Sequence, residues 1–592
     1  MTGLAKDAQV DFSAGEVTAV ARNLIPGNGL YQAVNGLFDD DGSCYRRGGS
    51  QYKSTADFGS SGLRWVWDGT LTGGQRTVFA NNADFGVLGA DDASVVNLGG
   101  AGLAEPVSCV EIAGILFIGG GTLYAGSRKT ADYSTGTVAL TNGSKVVTGT
   151  GTSWSANCDA GMLFHRGSER MYPIASVDSN TQITLRDAYQ GVTTASTAYV
   201  NRVLGTASTS TYRTASFYAA VAGRLVTLEG NRLYFSNSVL GGGQGPHVFG
   251  ATDYHELPEG AVGLGVFPVR DTALAFTTQG LWSVSNLVLD LTDDFGNPQQ
   301  RVERISQDLI LWGAAGVATW RGSLVVPAVD GVWLVDGVSQ PVRLTNSVTN
   351  QVTRYVRANY KAGGGVVHRN HYFLPVYADG SYTVLDLMVC RLDRPTRTPL
   401  GDVFPWSHVT GHGGNVIAMA QRAGSNTRQP FLWGASQHTK SRVLDCSGFF
   451  EPAAGVKADA DGTVFVWDVI TRDYATGSLN VNTVRKLRVR YELVDAGTDD
   501  PVIAAYVGLG PGEAGGAEWG VSEWGLADWT DSTLGDYAPL DGTAPEDYGR
   551  NPWSWRVNKR ARYVSYRLRC EDAAQKLVLR SVESFVRAGG RQ

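Results

Sequence analysis

The residues with which this 592-residue chain could do chemistry are eight histidines, six cysteines and 56 carboxylates. His368 and His371 stand three apart in HRNHYFLPV, which reads as a strand, so alternation sends them to opposite faces and a shared metal is not expected. His408 and His412 flank VTG in a Gly-rich turn and read as structural or solvent-exposed. Cys44, Cys109, Cys158, Cys390, Cys446 and Cys570 lie far apart with no CxxC, so they read as buried free thiols rather than a zinc ribbon or a disulfide scaffold. Asp39-Asp40-Asp41-Gly42 and Asp459-Ala460-Asp461-Gly462 resemble fragments of calcium loops, but neither continues into the full loop pattern, and Asp-Gly is a common tight turn. No HExxH, GxSxG, Walker loop or dinucleotide fingerprint occurs. The expectation is therefore no catalytic residue, no metal and no cofactor, with one route left open. Carboxylates for glycoside cleavage can be gathered from distant parts of a fold with no local mark.

The most unusual chemical feature is a charge segregation. Between Tyr491 and Gly549 stand thirteen Asp and Glu and no Lys or Arg, flanked by Arg485, Lys486, Arg488 and Arg490 before it and by Arg550, Arg556, Lys559, Arg560 and Arg562 after it. Trp519, Trp524 and Trp529 recur within it at five-residue steps, in EWGVSEWGLADW. A wall of carboxylates repels phosphate, so Glu513, Glu518, Glu523, Asp528 and Asp531 are candidates for a channel lining or a subunit seam.

The elements that must position these residues are strands. Gly supplies 75 residues and aromatics 10%, so many tight turns separate short, well-packed strands, and the fold class is all-β. One unit recurs: an apolar strand, a turn, then a strand bearing an aromatic, at Tyr124, Tyr234, Trp282, Trp333, Tyr382 and Trp433. From Tyr234 onward the steps are 48, 51, 49 and 51 residues, the length of one four-stranded propeller blade. A β-propeller of six or seven blades follows, in two parts, 51–133 and 202–455, behind an N-terminal extension, 1–50. The longer step before Tyr234 implies an inserted small β domain over 134–201, rich in Thr/Val strands and NG and DS turns. A single helix is expected in LTNSVTNQVTRYVRANY, capped at Asn346 or Ser347, with Val348, Val352, Tyr355 and Val356 on its packing face. After about residue 455 longer alternating strands predict a C-terminal β-sandwich over 456–592, with a long acidic loop at 510–555. A formal charge of −6 speaks against a dedicated nucleic-acid binder, and neither a signal peptide nor a membrane span is expected.

Around AVNGLFDDDGSCYRRGGSQY, at Asn35, Gly42, Arg46, Arg47 and Gly49, the chain resembles the tail nozzle proteins of short-tailed bacteriophages, also called tail tubular protein B, and related tail-hub or DNA-stabilisation proteins. Gly48 stands where that family has Pro. The order of repeated strand-Gly-aromatic units, helix and final β domain ending in RSVESFVR is also similar. The resemblance implies a virion protein of the tail, made in the bacterial host cytoplasm and carrying no catalytic residues. It implies a homohexameric ring beside the head-tail adaptor and other tail or fibre proteins, through which genomic DNA passes without specific binding. Two other readings stay open: a receptor-binding or minor tail protein of a long-tailed phage, and a propeller glycanase or depolymerase acting on host surface polysaccharide.

Overall fold

Tight turns between apolar strands generate the repeating element of this molecule, and several use left-handed backbone at non-glycine residues. Ala113-Gly114, Ala222-Gly223, Arg321-Gly322 and Arg369-Asn370 each join two strands with positive φ at both positions, the geometry that matches strand twist in a two-residue hairpin. The strand after each turn is buried almost throughout, as in Ile115–Ile118 and His371–Ala378, so it appears in the sequence as a continuous apolar run. The computed structural model describes residues 5–20, 24–206, 213–236, 249–285, 301–398, 401–411, 415–422, 431–436, 441–450, 458–462, 464–475, 482–494, 503–508, 537–540, 553–561, 563–570 and 576–587. It is an all-β structure of many sheets.

Six antiparallel sheets have four strands each, spanning Trp65–Leu71 to Val95–Gly99, Cys109–Ile112 to Gly205–Thr206, Tyr218–Val221 to Phe249–Glu256, Gly263–Val269 to Arg301–Ser306, Ala318–Trp320 to Val342–Arg343, and Val416–Arg422 to Val443–Asp445. Between the last two, Tyr360–Ala362, His371–Ala378, Val384–Arg391 and Trp406–Val409 form a further four-strand unit at one end of a 12-stranded sheet. In chain order these make seven units, and each shares a core with the next. Phe117 and Leu123 pack with Tyr218 and Leu225; Val226 with Val266 and Ala275; Leu274 and Phe276 with Leu324 and Val326. Val325 and Val332 pack with Tyr372 and Leu374; Phe373 and Leu387 with Val416 and Leu432. The seventh unit returns to the first, where Ile417 and Trp433 meet Val66 and Phe79. Its fourth strand is Gln51–Tyr52, from the beginning of the chain, paired with Val443–Asp445.

Residues 134–201 leave and re-enter the second unit at one point: Tyr133 and Asn201 exchange both backbone hydrogen bonds, at 2.9 and 2.8 Å. Between them lies a seven-stranded sheet, from Thr137–Leu140 to Val200–Arg202. Its core is continuous with that of the first two units, Val138, Trp154 and Phe164 lying in one cluster with Val78, Leu116 and Ile118. Replacing 134–200 by two glycines spans the roughly 5.5 Å between hydrogen-bonded partners. The shortened chain is expected to keep a cooperative urea transition at a lower midpoint, because apolar surface on the second unit becomes exposed. Loss of any cooperative transition would place the boundary elsewhere.

The N-terminal residues are woven into the body. Gly29–Val34 runs parallel to Trp406–Val409 and antiparallel to Trp467–Thr471, which joins the sixth unit to the C-terminal strands in one sheet. A second sheet, of six strands, contains Cys44–Arg46, Lys576–Arg587, Asn482–Val494 and Trp553–Ala561. The two sheets share a core that includes Trp467, Leu487, Val507, Trp555, Tyr566 and Val582. The helix is Thr349–Arg357 and buries Val348 and Val352, but its N-cap position is Val348, not Asn346 or Ser347. The Ser347 carbonyl instead accepts hydrogen bonds from the Thr18 and Ala19 N–H groups, which draws the chain into a separate turn. Among the described residues no helix is long and apolar enough to cross a membrane.

Candidate functional site

The residues that carry the family resemblance converge on a buried knot where the N-terminal segment meets the sixth unit and the C-terminal sheets. Asn35 has φ +55°, a left-handed conformation that Asn tolerates. Its side chain accepts from Arg47 Nε at 2.8 Å and from the Thr410 N–H at 2.9 Å, and its amide nitrogen donates to Thr410 Oγ1 at 2.8 Å and the Val466 carbonyl at 2.7 Å. The Arg47 guanidinium forks onto Asp459, with Nη1 2.9 Å from Oδ1 and Nη2 2.8 Å from Oδ2, and neither side chain is exposed. Ser50 donates to the same carboxylate through its N–H and hydroxyl. Arg47 also lies 3.7 Å over the Phe465 ring and 4.8 Å over Phe449, and Arg46 lies 4.2 Å over Phe465. Gly48 donates its N–H to the Phe449 carbonyl, a bond that Pro cannot make.

A second network shares the strand that carries Thr410. Asn35 N–H donates to the His408 carbonyl at 2.6 Å, and the His408 ring, 7% exposed, sits between two carboxylates. Nδ1 is 2.7 Å from Asp386 Oδ2 and Nε2 is 3.2 Å from Glu16 Oε1. Glu16 accepts from the Ala33 N–H, and Asp386 accepts from the Tyr355 hydroxyl of the helix at 2.7 Å. Burial opposes a charge on the imidazole, but the attraction of Asp386 and Glu16 outweighs it and holds the His408 pKa well above the ordinary histidine value. Burial, reinforced by Asp386, pushes the Tyr355 phenol up, so it stays a donor. The Gln351 side-chain amide lies 3.0 Å from His408 Nε2, and because an imidazolium Nε2 only donates, the amide group that faces it is the carbonyl oxygen. His408 is thus structural and buried, not solvent-exposed; His412 lies outside the described residues.

The other sequence-derived candidates fall as follows. Tyr124, Tyr234, Trp282 and Trp333 occupy third strands of their units, and Trp433 lies on Phe431–Ser436, the second strand of the seventh. Four of them carry a cation over the ring: Arg213 on Tyr234 at 3.4 Å, Arg304 on Trp282 at 5.4 Å, Arg343 on Trp333 at 5.5 Å and Lys53 on Trp433 at 5.2 Å. Tyr382 differs. It lies at φ +56° in the turn before Val384–Arg391, stacked on Tyr377 and covered by Arg64, because the Asp379-Gly380 turn is longer than in the other units. The DDDG turn directs Asp40 to Arg391 and Asp41 to Arg580. Glu492, the first carboxylate of the acidic tract, also pairs with Arg580 at 2.7 Å. Glu513, Glu518, Glu523, Asp528, Asp531, Trp519, Trp524 and Trp529 lie outside the described residues. Five of the six cysteines are buried, all six are free thiols, and Cys109 is partly buried.

His368 and His371 correct the expectation of opposite faces. The segment is a hairpin, turned at Arg369-Asn370, so the two are direct cross-strand partners and both pack on Phe450 at 5.3 and 5.0 Å. Burial pushes His368 down to about 3 and His371 down to about 4. Both imidazoles are neutral in the fold and charge more readily when it opens, so stability is full above the unfolded value near 6.5 and falls as pH drops toward 4. The expected loss over that interval is on the order of 3 kcal/mol for each histidine. In His368→Gln/His371→Gln this acid limb shrinks; an unchanged acid profile in urea titrations contradicts the assignment. Among the described residues no group of three or more His, Cys, Asp or Glu side chains could hold a metal ion.

No protein-family model matches the chain, and no curated protein matches it.

Proposed function

We propose that the chain is a structural subunit of a bacteriophage tail, assembled into a ring-shaped nozzle or hub through which the genome is retained and ejected. In this reading the seven units are the blades of a propeller, 134–201 is a domain inserted in its second blade, and the C-terminal sheets are a sandwich. The order of the cores supports the propeller. Each unit packs on its successor, the seventh packs on the first, and a strand from residues 51–52 completes the seventh, which is how such rings avoid an open edge.

The observation that carries the nozzle reading is the knot. Asn35, Arg46 and Arg47, on which the resemblance rests, are buried together and bonded to Thr410, Asp459 and Phe465, so the motif locks the N-terminal segment to two distant parts of the chain. The ring surrounds duplex DNA without gripping it; each phosphate neutralised would add salt-dependent affinity. Its location is the virion tail, beside the head-tail adaptor and fibre proteins. Immunogold labelling of virions with antibody to this protein is expected to decorate the tail below the head. Label confined to fibre tips favours the adhesin, and turnover of host capsular polysaccharide by the purified protein favours the depolymerase; either result overturns the proposal.

A further inference from the structure

The six-stranded C-terminal sheet has two faces of opposite character. Leu487, Val489, Trp555 and Val582 point into the core shared with the opposite sheet. On the other face Lys486, Arg488 and Arg490 alternate with them along Asn482–Val494. Directly opposite these stand Arg556 and Ser554 on one side, Phe585, Glu583 and Ser581 on the other, and beyond them Lys6 and Ala8 from Ala5–Gln9. Directly opposed residues share a face, so Lys6, Lys486, Arg488, Arg490 and Arg556 gather there around one carboxylate. That carboxylate, Glu583, is already held by Lys6 at 2.9 Å and lies within 3.6 Å of Arg488 and 3.9 Å of Arg490. Lys486 and Arg556 face each other across the ladder, and among the described residues neither has an ion-pair partner. A like-charge pair in direct opposition costs stability, and an anion laid over it removes the cost.

We propose that this basic face takes the acidic tract of a second copy of the chain, residues 495–547, which carries twelve Asp and Glu and no Lys or Arg. Charge complementarity selects this occupant. The described strands within the tract, Ile503–Gly508 and Tyr537–Pro539, belong to the sheet on the other side of the core from this basic face. Such a contact is heterologous, the kind that closes into a ring by repeated rotation. The inference deepens the ring reading and rests on it.

The test uses the full chain. Lys486→Glu/Arg556→Glu changes two cations that have no ion-pair partner among the described residues, so folding is expected to be kept. Its assembly, followed by analytical ultracentrifugation, is expected to weaken about tenfold or more and to lose its salt dependence. The reciprocal variant Glu513→Lys/Glu518→Lys/Glu523→Lys/Asp528→Lys should weaken likewise, and a chain carrying both sets should assemble again. Unchanged assembly of Lys486→Glu/Arg556→Glu overturns the inference. So does a variant that assembles normally but loses affinity for duplex DNA, which would make the face a phosphate binder. If the wild-type chain forms no ring, the ring reading fails separately. A dye-labelled peptide of residues 511–531 then decides the docking face, by binding the wild-type chain and not Lys486→Glu/Arg556→Glu, or by failing to discriminate between them.

Discussion

Arg47→Met is expected to destabilise the protein by about 3–5 kcal/mol, because it leaves the Asp459 carboxylate buried without its cation. The side chains of both partners are fully buried, so water cannot replace the guanidinium without opening the junction. Ser50 still donates to Asp459, but two neutral donors do not replace a bidentate cation. Arg47→Met/Asp459→Asn is expected to recover part of the loss, since neither partner is then an isolated buried charge. Urea denaturation followed by Trp fluorescence checks both. A single variant within about 1 kcal/mol of wild type would show that the knot does not hold the junction.

The second large effect belongs to His408. His408→Gln leaves Glu16 and Asp386 buried without the imidazolium that separates them, with an expected cost of about 3–5 kcal/mol at neutral pH. Because the folded pKa is raised, the histidine's contribution is complete below the unfolded value near 6.5 and is lost as pH rises through the folded value. Wild-type protein is therefore expected to lose stability on the alkaline side. His408→Gln should lack that limb. A melting-temperature profile from weakly acidic to alkaline pH reads it; an identical alkaline limb in the variant contradicts the charged network.

Much of the fold is legible because strand burial leaves a mark in the chain. The 48-to-51-residue spacing traced third strands at Tyr234, Trp282 and Trp333 and the second strand of the seventh unit at Trp433, and alternation after residue 455 located Trp467–Thr471, Asn482–Val494, Ile503–Gly508, Tyr563–Cys570 and Lys576–Arg587. What failed was local geometry that composition does not encode. Arg369-Asn370 reads as mid-strand, since an arginine in left-handed backbone is unusual, and the hairpin it forms brings His368 and His371 together. Tyr382 kept the spacing although it sits in a turn. The site was less legible than the fold. Asp459 looked like an ordinary Asp-Gly turn, and its role depends on Arg47, 412 positions away. Glu16 and His408 are 392 positions apart and meet only because Gly29–Val34 enters the sheet beside Trp406–Val409. No periodicity signals such a pairing; the resemblance at Asn35, Arg46 and Arg47 was the one cue that pointed to this junction.

The central claim, that this chain is a ring subunit, is tested most directly by electron microscopy of the purified full-length protein. Class averages are expected to show closed rings of uniform size with an open central channel, six subunits around it. A particle that stays monomeric at every concentration, or one that stacks into open filaments without closing, would contradict the account.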